Sequence, residues 1–127
     1  MKDNIMLTIS ALVTIILTTL HITSDVIVGV EKARPELLNI APIVVVFLYG
    51  ALVLAGRRSG YIIVLLGSLG GLYVPYIHMK GAHIGEIAMS GHGFFFIWTL
   101  IAMAVTSLFS IILSAQGLWR LQRRQPT

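Results

Sequence analysis

Apolar residues dominate four stretches of this chain, at 4–30, 37–55, 60–78 and 92–119, and short polar segments separate them. An α-helix needs about 20 mostly apolar residues to cross a bilayer, and each stretch is near or above that length. The connections, 31–36, 56–59 and 79–91, are short enough to force neighbouring helices to reverse direction. The pattern predicts an all-α integral membrane protein. Its expected form is an antiparallel four-transmembrane-helix bundle, with residues 1–127 as a single domain. Lys2 ahead of an apolar run resembles a signal peptide. That run is too long for one, and no A-x-A-like site follows it, so it reads as a retained helix.

Composition sharpens this picture. Of 127 residues, 57% are hydrophobic and 11% are charged, with a mean hydropathy of +0.91. A soluble domain carries about 25% charged residues and buries only about 70% of the surface its chain exposes. A free soluble enzyme, a nucleic-acid-binding domain and a disordered chain are therefore excluded. The net charge of +4 does not indicate nucleic acid, because most basic residues flank apolar spans. The chain has no cysteine, which removes disulfides, thiolate metal sites, iron–sulfur clusters, covalent haem and cysteine nucleophiles. The expected partners are the lipid bilayer and, beside it, other membrane subunits or further copies of the chain.

Basic residues also set the expected orientation. Lys2, Arg57, Arg58, Arg120, Arg123 and Arg124 fall on one side of four antiparallel spans, against Lys32, Arg34 and Lys80 on the other. The side richer in Lys and Arg is cytoplasmic. Both termini should then face the cytoplasm, N-in and C-in, in a bacterial-type inner or plasma membrane. Trp119 and Tyr61 would sit at the inner interface, and Tyr73 and Tyr76 near the outer one. In the third span Gly67 and Gly71 form a small-xxx-small pair of the kind that lets helices approach closely. Pro75 removes a backbone bond to Gly71 and is expected to kink the outer end of that span, whereas Pro42 falls in a first turn, where it is tolerated.

The residues that can carry chemistry collect at the outer end. His21, His78, His83 and His92 all lie there, with Asp25 and Glu86. His21 and Asp25 are four apart and share a helix face. A carboxylate that accepts one imidazole N–H fixes the tautomer and leaves the other nitrogen free for a ligand. Ionisable residues inside a span usually face the interior or a wet cavity. Below them Ser10, Thr14 and Thr18 continue the stripe. On the fourth span His92, Thr99, Met103, Thr106, Ser110 and Ser114 form a matching one. With the two spans antiparallel, Thr14 falls at the depth of Ser107 and His21 at the depth of Thr99, so a polar seam should run between them. In the 79–91 connection one short helical turn would bring His83 and Glu86 to the same face.

Three readings follow. In the first, the outer cluster binds a transition metal or haem. His21 and His92 lead as ligands, followed by His78 and His83; Asp25 either orients His21 or binds directly, and Glu86 is a peripheral ligand or a base. Imidazole and carboxylate suit zinc, Met favours copper, and two axial histidines would suit haem b. In the second, the protein is a structural or accessory membrane subunit without a cofactor, and its hydroxyls act as helix glue. In the third, the seam serves proton-coupled transport or a redox enzyme. Neither H-E-x-x-H nor a phosphate-binding loop is present, so the balance is against an enzyme.

Overall fold

The computed structural model describes residues 2–28, 40–80 and 84–123. Among them the secondary structure is helical throughout: α1 (Lys2–Val28), α2 (Ile40–Leu52), α3 (Arg58–Met79), α4 (Ile84–Ala88) and α5 (Gly93–Arg123). Three helices are long and apolar enough to cross a membrane, over Asn4–Ile27, Arg58–Met79 and Gly93–Arg123. At about 1.5 Å per residue, even the 22 residues of α3 reach roughly 33 Å, which matches a hydrocarbon core of about 30 Å. The second predicted span contains the 13-residue α2, which reaches only about 20 Å. It ends at Leu52, where the chain turns through Gly56 at a φ of +79° into α3. Residues 37–39 of that span lie outside the described residues. The segment between α3 and α5, read from the sequence as a connection, contains the single-turn helix α4.

Burial is inverted relative to a soluble protein. Ile5, Ile16, Ile43, Val45, Leu66, Trp98, Leu108 and Ile112 point outward, while Thr14, Ser68, Thr99, Ser107, Ser110 and Ser114 are fully buried. Lipid chains are as apolar as leucine, so the large side chains gain little by facing inward. Small hydroxyl residues instead let backbones approach and bond across helices. The outer surface is thus compatible with lipid contact.

Hydrogen bonds set the helix register. The Thr8 hydroxyl donates to the Ala51 carbonyl at 3.0 Å, which places the start of α1 beside the end of α2. Ser10 Oγ lies 3.0 Å from the Thr106 carbonyl and 2.8 Å from Ser110 Oγ, and Thr18 Oγ1 lies 3.2 Å from Met103 Sδ. Together with a contact between His21 and Thr99, these bonds run α1 and α5 in opposite directions. Two apolar clusters flank the hydroxyl layer. Leu7, Ala11, Ile15, Phe47, Ala51, Tyr61 and Val64 form one, and Phe96, Leu100 and Met103 the other.

The glycines of α3 divide their work. Gly67 lies against the Phe47 ring of α2, while Gly71 lies against Ser107 of α5 and Thr14 of α1. The small-xxx-small pair therefore admits two different neighbours. α3 runs on through Pro75, which is buried. One expectation is corrected. Tyr61 is buried, not placed in an interfacial belt, because its ring packs on Gly117 and its hydroxyl donates to Asn4 Oδ1. Trp119, Tyr73 and Tyr76 are exposed.

Candidate metal centre

His21 is fully buried on α1, and Asp25 follows one turn later. The i, i+4 spacing brings His21 Nε2 to 3.3 Å from Asp25 Oδ1. His78, near the end of α3, reaches the other carboxylate oxygen, with Nε2 3.4 Å from Oδ2. The two imidazoles meet edge to face with centroids 5.0 Å apart, and Phe96 packs against both. One carboxylate thus bridges two histidines from different helices.

The outer hydrogen bonds decide which nitrogen carries each proton. Thr99 Oγ1 donates its single proton to the Phe96 carbonyl at 2.9 Å. It can then only accept from His21 Nδ1, 3.1 Å away, so that nitrogen carries a proton. His78 Nδ1 lies 2.9 Å from the Val74 carbonyl, which has no proton to give, so Nδ1 is again the donor. In the neutral rings both Nε2 atoms therefore carry lone pairs, and both face the Asp25 carboxylate. His21 Nε2 is buried and makes no hydrogen bond among the described residues. Three groups with lone pairs converge here, an arrangement that a cation or a shared proton reconciles.

The spacing suits a metal ion. Ligand atoms at zinc bond lengths of about 2.0–2.1 Å stand roughly 3.3 Å apart in a tetrahedron. The two imidazoles stand near that distance from different oxygens of the one carboxylate, 3.3 Å to Oδ1 and 3.4 Å to Oδ2, and one ligand atom from each residue lies within 4.8 Å of the others. Three protein ligands leave a fourth position open. Asp25 and His78 also line a cavity of about 460 Å³, whose other walls come from α1, α2 and α3.

The sequence-predicted ligands separate into two groups. His21, Asp25 and His78 come together. His92 and Glu86 are exposed, and neither joins the group. His83 lies outside the described residues. The expected pairing of His21 with His92 thus gives way to His21 with His78. A haem between His21 and His78 does not fit, because rings in edge contact leave no gap for a macrocycle.

The seam residues are placed as follows. Ser10 meets Thr106 and Ser110, Thr18 meets Met103, and His21 meets Thr99. Thr14 and Thr18 donate to their own i−4 carbonyls, at Ser10 and Thr14, and Thr106 donates to the Met103 carbonyl. Ser68 and Ser24 are buried as well, though the spacing singled out neither. Ser68 lies one residue after Gly67, so a stripe of small residues on α3 was the available signal. The chain matches no family model, no curated protein and no solved structure.

Proposed function

We propose that the chain is an integral membrane protein whose outer end binds one transition-metal ion, zinc in preference to copper, through His21, Asp25 and His78. The observation that carries this reading is the pair of Nε2 atoms, from residues 21 and 78 on different helices, aimed at one buried carboxylate. Two imidazoles and a carboxylate suit zinc. Copper(I) would draw thioether sulfur, and Met103 is engaged by Thr18 outside the group. In this reading the chain is one domain of four antiparallel membrane helices with α2 as part of the second span. Both termini face the cytoplasm of a bacterial-type inner membrane, as the distribution of Lys and Arg supports. His92 and Glu86 take no part in the centre.

The test is metal content by mass spectrometry on tag-free protein purified in detergent without chelator. About one zinc per chain is expected, falling below a tenth in His21→Ala and His78→Ala. Zinc at background in wild-type protein, also after incubation with excess zinc and desalting, overturns the reading. The cluster is then a protonated hydrogen-bond network that joins α1 to α3.

A further inference from the structure

Besides Asp25 and His78, Thr18 is the only polar side chain among the described residues lining the 460 Å³ cavity. The remaining wall is apolar: Ile15 and Ile22 of α1, Ile43, Val44 and Phe47 of α2, and Leu66 and Val74 of α3 among others. Gly67, Gly70 and Gly71 complete it, so the space exists because one face of α3 lacks side chains. Ile43 and Leu66 at its rim are each 63% exposed on a surface whose apolar character fits lipid. A Cβ added at Gly70 would meet nothing within 4 Å, whereas one at Gly67 or Gly71 would collide with Phe47 or Ser107. Among the described residues Gly70 therefore has no packing partner to explain it, unlike Gly67 and Gly71.

A volume of this size lies within the range of small-molecule sites, which combine apolar walls with a few convergent polar groups. Here the polar groups stand at one end and also belong to the candidate metal centre. We infer that the cavity takes a membrane-dissolved amphiphile, with its apolar body along the α3 glycines and a hydroxyl head at Asp25 and His78. The ligand reaches the site from the bilayer past Ile43 and Leu66. A water-soluble substrate is disfavoured, because it would have to leave its polar surface unpaired against isoleucine, phenylalanine and glycine. The inference builds on the proposed centre by naming the class of molecule offered to the open fourth position. Its test does not require that metal be present.

The experiment uses a straight-chain C12 alcohol carrying a diazirine in its alkyl chain, with the protein in lipid nanodiscs. After illumination, labelled peptides are mapped by mass spectrometry, and zinc content is measured on the same samples. Labels are expected to concentrate on cavity residues of α1, α2 and α3 over the outward-facing Leu108 and Ile112 of α5. Gly70→Leu, which grows into the cavity, should cut cavity labelling at least fivefold and leave zinc content unchanged. Gly70→Ala adds one methyl group to open space and should retain the labelling. Labels spread evenly over all lipid-facing residues, and insensitive to Gly70→Leu, overturn the inference. Zinc at background with cavity labelling intact overturns the metal reading alone. Zinc bound without cavity labelling overturns this inference alone.

Discussion

Thr99 Oγ1 stands between the Phe96 carbonyl, 2.9 Å away, and His21 Nδ1, 3.1 Å away, so one hydroxyl relays a hydrogen bond from α1 into the backbone of α5. That relay makes Nδ1 the protonated nitrogen and turns a bare Nε2 toward Asp25. Thr99 touches no ligand position itself. Its action on the centre goes through His21.

Thr99→Val keeps the shape and removes the acceptor. A buried N–H then has no partner, which costs about 1–3 kcal/mol. The ring is also free to take the other tautomer. Zinc affinity is expected to fall about 10–100-fold, the range seen when outer partners of ligating histidines are removed. Thr99→Ser should restore most of it. Competition titration against a chelating dye measures the effect. Unchanged affinity in Thr99→Val would mean that Thr99 does not set the His21 tautomer.

Asp25→Asn is nearly isosteric and removes the charge between the two imidazoles. An amide presents N–H donors in place of one carboxylate oxygen and binds zinc poorly. Zinc should be lost, while helix content by circular dichroism stays at the wild-type level. His92→Ala and Glu86→Gln act on exposed positions outside the group and should leave zinc affinity within threefold. Acidification should release the metal in wild-type protein, because protons compete for the same lone pairs.

Much of this arrangement is legible in the sequence. The helical class follows from long apolar runs. The depth match between His21 and Thr99 follows from aligning the ends of two antiparallel spans, and it corresponds to a direct contact. What the pattern leaves open is rotation. His78 and His92 border the same connection, and periodicity alone cannot say which one turns inward. The structure favours His78 because it lies one turn beyond Val74, whose carbonyl holds its Nδ1. His92 instead precedes α5 and points outward. The inward turn of Tyr61 was hidden for a similar reason. It depends on Gly117, a residue 56 positions away that provides room for the ring.

Gly71 provides a test of the packing that holds the site. A Cβ there would lie 2.6 Å from Ser107 Oγ and 3.3 Å from Thr14 Cγ2. Gly71→Ala should therefore destabilise the protein by about 1–3 kcal/mol through overpacking, despite the better helix propensity of alanine. Gly70→Ala, one position earlier, meets open space and should be neutral or stabilising. Ser107→Ala removes the atom in closest conflict and leaves only its Cβ, 3.7 Å from the new methyl. The double variant Gly71→Ala with Ser107→Ala should then recover at least half of the loss, a non-additivity expected for residues in contact. Reversible unfolding in mixed micelles, followed by circular dichroism, measures all four proteins. Strictly additive effects would mean that α3 and α5 do not meet at this pair. The seating of α3 against α1 and α5 that brings His78 to Asp25 would then need another cause.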